Sequence, residues 1–168
     1  MSENQQFEKY RIFNNLDNIQ IGHFEKVIEE KTFTAGKVIF AEGDIGDSLF
    51  LLLDGEVEIN QALTLQLTKN DYDTREKSII NLSSIDHPVF GEMSILGTED
   101  KRTATVKAIS NCTMGIIMKH DLFDICQTDP EIGFVVMKNI ASIVTDNLIK
   151  ANINVLKLTT AFSLILGK

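Results

Sequence analysis

Glu92 and Arg102 lie ten residues apart in the stretch FGEMSILGTEDKRTATV, residues 90–106, and together could hold a phosphate monoanion that carries a sugar. A compact buried anion needs a cation that stays charged and presents several donors in one plane, which arginine provides and lysine does not. Arg102 is that candidate. Gly91 and Gly97 admit backbone conformations that other residues resist, and the run from Met93 to Leu96 is short and helix-compatible. N–H groups at the start of such a turn can point at an anion. Glu92, acceptor-only when ionised, cannot serve the phosphate but can accept from a sugar hydroxyl, a charge-assisted bond worth roughly 1.5 to 3 kcal/mol. One Glu and one Arg in a loop, taken alone, are more often a surface ion pair worth about 0 to 1 kcal/mol.

The surrounding pattern supplies the elements that would position this pair. A second block, TFTAGKVIFAEGDIGDSLFLLLDGEVEI, spans residues 32–59. From residue 32 to about 118, short apolar runs alternate with Gly and Asp turns, predicting strands at 37–40, 48–53, 56–61, 78–82, 105–110 and 112–118. That is the signature of a small antiparallel roll or jelly roll. The segment 60–77, with its polar cluster 69–77, reads as an extended hairpin. Upstream, residues 5–30 carry Phe7, Tyr10, Phe13, Leu16, Ile21, Phe24, Val27 and Ile28 at three- to five-residue steps, which predicts short helices. Downstream, Asp129-Pro130 with Glu131 is a helix start, and no Gly or Pro interrupts the chain between Gly133 and Gly167. Ile140, Val144, Leu148, Ala151, Val155, Leu158, Phe162 and Ile165 recur there at steps of three and four. Val135, Ile143 and Ile149 fall outside that line, so the helix needs more than one packing partner.

The two blocks, in this order, resemble the cyclic-nucleotide-binding domain family, which includes the bacterial catabolite activator and the regulatory subunits of cyclic-nucleotide-dependent kinases. Phe90, Gly91 and Glu92 fill the opening slots of that family's phosphate-binding cassette; Arg102, Thr103, Ala104, Thr105 and Val106 fill its closing slots. The earlier block matches the front half of its β-roll. The resemblance implies a mainly β fold with flanking helices (α+β): N-terminal helices over 1–31, a β-roll over 32–118 with the cassette at 90–106, and C-terminal helices over 119–168, all one domain. It implies a cyclic mononucleotide ligand, cAMP or cGMP, held by Phe90, Gly91, Glu92, Met93, Ser94, Arg102, Thr103 and Ala104, with Glu92 on the ribose 2′-hydroxyl. The base would be approached by Thr145 and Asn147 near the middle of the long helix. Thr103 does not discriminate guanine from adenine, and the bacterial-like spacing favours cAMP. The helix would pair with its copy in a homodimer and relay binding to an effector protein. One departure concerns Asp86-His87-Pro88-Val89, which stands where the family has a Gly-Asp turn, so the entry turn must differ. The alternative is a degenerate fold that has lost the nucleotide and keeps only protein contacts.

Composition narrows the classes further. A length of 168 residues, 43% hydrophobic and 24% charged, fits one soluble globular domain. A net charge of −8 and a pI near 4.8 weigh against a general nucleic-acid surface. The chain ends at Lys168, leaving no room for a helix-turn-helix after the long helix, so no direct nucleic-acid partner is expected. No charged-then-apolar start or apolar run of 18 residues is visible, so the expectation is cytoplasmic with no membrane span. Residues 158–166 are apolar but too short to span, and with Lys157 and Lys168 as their only basic neighbours an interfacial membrane helix is disfavoured. Cys112 and Cys126 lack CxxC spacing and read as buried thiols. His23, His87 and His120 make no ligand-spaced set, so no metal is expected. His87 reads as a turn residue. Hydrolysis of a cyclic nucleotide would require a metal or a poised base, and the cassette offers neither a His cluster nor a carboxylate pair. The chain is expected to be non-catalytic, with no cofactor besides its ligand.

Overall fold

The computed structural model describes residues 6–62, 65–68, 71–73 and 76–166, with side chains described outside 61–79. Two short 3-10 turns, Phe7–Lys9 and Arg11–Phe13, lead into helix α1 (Asn18–Glu25). Asp17 starts that helix: its side chain accepts from the N–H groups of Ile19 and Gln20, and Gln20 reaches back to the Asp17 N–H, a capping box. Among the described residues, ten strands and three further helices follow: β1 (Glu29–Phe33), β2 (Val38–Phe40), β3 (Ser48–Asp54), β4 (Glu56–Ala62), β5 (Leu65–Thr68), β6 (Asp71–Asp73), β7 (Glu76–Ser83), β8 (Val89–Phe90), α2 (Glu92–Leu96), β9 (Thr105–Ala108), β10 (Cys112–Met118), α3 (Lys119–Thr128) and α4 (Pro130–Leu166).

Two four-stranded antiparallel sheets, ordered β1-β10-β3-β8 and β2-β9-β4-β7, enclose the roll. Strand β3 explains how the two halves of the core are joined. Its sequence SLFLLLD is apolar at successive positions rather than alternating, because both of its faces are covered. Phe50 and Leu52 face the roll interior with Val57, Phe90, Val106 and Met114. Leu49 and Leu51 face the opposite side, where Phe13, Phe24, Ile117, Leu122, Ile132 and Val136 form the helical half of the core. The Tyr10 hydroxyl ties the N-terminal turns to this strand by donating to the Leu52 carbonyl at 2.6 Å, and burial pushes its pKa up to about 12.

Helix α4 runs 37 residues. Asp129 begins it by accepting from the N–H groups of Glu131 and Ile132. Its first half is clamped to the domain. Ile132, Val136, Ile140 and Ile143 are buried, Asn139 donates to the carbonyls of Ile12 and Asn14, and Arg11 pairs with Asp146 at 2.6 Å. Beyond residue 147 every described residue of the helix is exposed.

Several expectations are corrected. The N-terminal helical region ends at Glu25, and β1, with the sequence EEKTF, pairs along the edge of β10. Its charged residues need no apolar alternation, because an edge strand draws its hydrogen bonds from one neighbour only. The strand expected over 105–110 ends at Ala108, where Ile109 and Ser110 turn back onto the Glu56 carbonyl. The 60–77 hairpin is present in the described backbone: β4 and β7 pair out to Ala62 and Glu76, and β5 and β6 continue outward from Leu65 opposite Asp73. Cys112 is buried, but Cys126 is only half-buried. The length argument made for residues 158–166 alone does not extend to the whole of α4. That helix is long and apolar enough to cross a membrane, with a mean hydropathy of 1.4 over an 18-residue window of which 28% is buried in the domain.

Tyr10→Phe removes the buried donor and leaves the Leu52 carbonyl short of a partner. Stability should fall by roughly 1 to 3 kcal/mol, lowering Tm by about 3 to 10 °C in thermal melts followed by circular dichroism. An unchanged melt would mean this tether contributes nothing.

Candidate functional site

The chain turns from β8 into α2 through Gly91, whose φ of +91° suits glycine and strains any other residue. A β-carbon there would fall 2.7 Å from Arg102 Nη1 and 3.0 Å from the Ser48 carbonyl oxygen. Close approach is required on the other side as well, since a β-carbon on Gly46 would overlap the Ser94 side chain. Gly91 therefore makes room for the Arg102 guanidinium and Gly46 for the Ser94 side chain that accepts from it.

Arg102 is only 4% exposed. Nη1 donates to the Ser94 hydroxyl at 2.8 Å and to the Gly91 carbonyl at 3.2 Å, and Nη2 donates to the Ser48 hydroxyl at 2.9 Å. Its plane lies over the Phe40 ring, 4.2 Å from the centroid, with Phe50 5.3 Å away. Phe50 in turn stacks on Phe90, with ring centroids 5.4 Å apart and 4° between planes. Nε is buried and has no hydrogen-bond partner among the described residues. Burial pulls the Arg102 pKa down, opposed by the charges of Asp47, Asp44 and Glu92, and an arginine so placed remains a cation. A buried cation with an unused donor fits an anionic ligand; what is missing from its coordination is negative charge.

Glu92 opens α2 and is buried beside this cation, 7% exposed. Burial pushes its carboxyl above the usual carboxylate range, against the opposing pull of its own backbone N–H, of Asn147 and of Arg102. Asn147 Nδ2 lies 3.5 Å from Glu92 Oε1, the contact through which α4 reaches α2.

The sequence-predicted residues separate into three groups. Gly91, Ser94 and Arg102 share one hydrogen-bonded cluster, and Glu92 lies beside it under the electrostatic influence of Arg102, reached by Asn147 from 55 residues away. Phe90 is not at the surface of the site: its ring is 4% exposed and belongs to the roll core beneath the guanidinium. Met93 and Thr103 lie at the exposed rim, with the Thr103 hydroxyl 3.7 Å from Met93 Sδ, and Ala104 is half-buried between Thr103 and β9. Thr145 is not brought to the cluster. Its hydroxyl donates to the Ala141 carbonyl one turn back, and two residues along a helix turn a side chain by roughly 200°, so Thr145 and Asn147 cannot face the same site. His87 is a turn residue with φ of +47°, and its ring packs 5.4 Å from that of Tyr10. The 3-10 turn Ser84–Asp86 followed by left-handed His87 is the entry turn that replaces Gly-Asp.

Two residues that sequence reading did not single out belong to the cluster. Ser48 accepts from Nη2, and Phe40 supports the guanidinium face. Both lie in strands predicted from the sequence, but nothing local marks a strand serine or phenylalanine as an arginine partner.

Comparison with known proteins bears on the family and the fold. The family model for the cyclic nucleotide-binding domain matches residues 30–129. A cGMP-dependent protein kinase, isozyme 1, of Drosophila melanogaster is 31% identical over 118 residues, covering 67% of this chain and 14% of the kinase. A cAMP-dependent protein kinase regulatory subunit of Schizosaccharomyces pombe is 29% identical over 104 residues, covering 60% of this chain and 21% of the relative. The chain thus spans only a small part of the length of these relatives. Among solved structures, a cyclic nucleotide-binding domain from Methylobacillus flagellatus superposes with a TM-score of 0.76 at 19% identity, covering 92% of this chain and 84% of the other, a likeness of fold. With a family model covering more than half of its length, the chain belongs to the cyclic nucleotide-binding domain family.

Proposed function

We propose that this domain is a non-catalytic receptor for a cyclic mononucleotide, with cAMP favoured over cGMP. Arg102 takes the cyclic phosphate, Glu92 accepts from the ribose 2′-hydroxyl, and α4 carries the signal to a partner. The observation that supports this most directly is the buried Arg102 guanidinium with Nε unpaired beside a buried carboxylate. Ser48 and Ser94 orient the plane of donors, and Phe40 below keeps water from that face. Met93, Thr103 and Ala104 shape the rim, Gly91 gives the turn that lets the guanidinium approach, and Phe90 acts from underneath as support. The cAMP preference rests on the bacterial-like spacing of the cassette, since Thr103 is compatible with either base.

The relay has a physical basis in the Asn147–Glu92 contact. A ribose hydroxyl that reaches Glu92 competes with Asn147 for one carboxylate oxygen, so ligand and helix are coupled through a shared acceptor. Coupling of this kind can shift the helix only by the difference in ligand affinity between its two arrangements. A homodimer through the exposed stripe Val144, Leu148, Ala151, Val155, Leu158, Phe162 and Ile165 accounts for the unbroken alternation of three- and four-residue steps. The competing reading, a degenerate module without nucleotide, draws on the terminal guanidinium nitrogens already having protein acceptors.

Protein unfolded and refolded to strip carried-over ligand should gain about 2.7 kcal/mol, or roughly 5 to 10 °C in Tm, with cAMP at 100 times its Kd. Arg102→Leu should weaken binding by at least about 2 kcal/mol in calorimetry. No shift with cAMP or cGMP would favour the degenerate reading. Glu92→Gln separates function from stability. The native carboxyl has the raised pKa, so the folded state binds more protons than the unfolded one and wild-type stability falls as pH rises through that raised value. Ligand-free Glu92→Gln should melt with wild type in acid and above it at neutral pH, while binding nucleotide more weakly; a lower neutral melt would contradict the assigned cost of burial. Val155→Glu, at an exposed position, should convert a sedimenting dimer to monomer with the nucleotide affinity retained, whereas a persistent dimer would place the interface elsewhere.

A further inference from the structure

Residues 97–104 carry Arg102 from α2 to β9 outside the regular elements, so the backbone of that arginine has to be held from elsewhere. The turn at 43–46 does this. The Gly43 N–H donates to the Arg102 carbonyl at 2.9 Å, the Arg102 N–H to the Asp44 carbonyl at 2.8 Å and the Gly46 N–H to the Asp100 carbonyl at 3.0 Å, with Ile45 bridged to Lys101 between them. Lys119 engages both sides of this short ladder. Its N–H donates to the Asp47 carbonyl at 2.7 Å, next to the turn, and its Nζ donates to the Asp100 carboxylate.

Helix α3 by itself does not account for a lysine at that position. Lys119 is the first residue of the helix, where the macrodipole favours an anion, and no side chain caps the helix at Met118. The cation is matched instead by Asp100, two residues before Arg102 in the cassette. Helix α3 in turn is seated on the root of α4. A β-carbon on Gly133 would fall 2.5 Å from the Cys126 carbonyl oxygen, and Leu122 and Ile132 are buried in the same half of the core. Asp129 joins the two helices: its N–H donates to the Ile125 carbonyl at 3.0 Å while its side chain starts α4. The end of α3 and the first turns of α4 thus form one packed unit, and Lys119 is where the cassette exit is fastened to it.

We infer that Lys119 is a positioning residue for Arg102, fastening the exit of the cassette to α3 as Asn147 fastens its entry, at Glu92, to α4. Two ties at opposite ends make the cassette move with the α3–α4 unit, whereas Asn147 alone would leave the Arg102 end free. The effect on affinity rests on the nucleotide receptor proposed above; the tie itself is present without ligand. The Lys119 and Asp100 side chains are 31% and 62% exposed, so the pair is screened and its loss is worth about threefold to fivefold rather than a hundredfold.

Lys119→Met removes the ammonium and keeps the N–H bond to Asp47. In ligand-free protein the amide hydrogens of Gly46 and Arg102 should exchange about threefold to fivefold faster, with those of β10 and the buried turns of α4 unchanged. The Kd for cAMP should rise by a similar factor in calorimetry. Lys119→Arg, which keeps the charge, should match wild type in both measurements, and in an Asp100→Asn background Lys119→Met should change neither. Unchanged exchange at Gly46 and Arg102 would overturn the inference. So would a loss that persists in the Asp100→Asn background, which would make Lys119 a remote charge, or faster exchange throughout α3, which would make it a support for its own helix only. Wild-type protein that binds neither cAMP nor cGMP would refute the receptor reading, and the exchange comparison would still decide for or against the tie.

Discussion

A guanidinium buried in a β-roll is the constraint around which the rest of this domain is arranged. Taking a cation out of water costs several kcal/mol unless hydrogen bonds and opposite charge replace its solvation. Arg102 receives part of that replacement from Ser48 on β3, Ser94 on α2 and the Gly91 carbonyl between β8 and α2. Three elements are therefore fixed relative to one another by a single side chain. The glycines follow from the same demand: Gly91 and Gly46 sit where a β-carbon would collide with the cluster. So does the aromatic floor, with Phe40 and Phe50 under the cation and Phe90 stacked on Phe50.

Glu92 adds a second unfavourable burial beside the first. A carboxylate held above its ordinary pKa by desolvation weakens the ligand-free fold at neutral pH, which gives it no structural justification. In the receptor reading proposed above, that cost is offset by a sugar hydroxyl at Glu92, an exchange of stability for recognition. Asn147 relieves it in part from α4. The helix is thereby tethered at three places, Asn139 and Asp146 to the N-terminal turns and Asn147 to the cassette, all before the point at which it leaves the domain.

Position along α4 thus separates three physical environments. Its first four turns lie in the core with Ile132, Val136 and Ile140. The turns around 139–147 carry polar contacts to both the N-terminus and the cassette. The remainder carries apolar residues into solvent, beginning with Leu148 and ending with Leu166.

Much of this was legible in the residues themselves. The alternation of short apolar runs with Gly and Asp turns specifies a roll because strands of that length can bury a face only by packing sheet against sheet. Arg102 and Glu92 stand out because their types and spacing suit an anion joined to a sugar. The Asp129-Pro130 start of α4 is a local matter of capping and a fixed φ. Other features depend on distant chain. β1 is a strand because β10 offers an edge, despite its charged sequence. Ser48 and Phe40 become arginine partners only when β2 and β3 are brought beside the cassette. Asn147 rather than Thr145 reaches Glu92 because the azimuth of α4 is set by Ile132, Val136, Ile140 and Ile143 packing against the domain, and two residues of helix carry a side chain to the other side. Local chemistry determined which groups could act; the long-range packing of the helix and the sheets decided which of them meet.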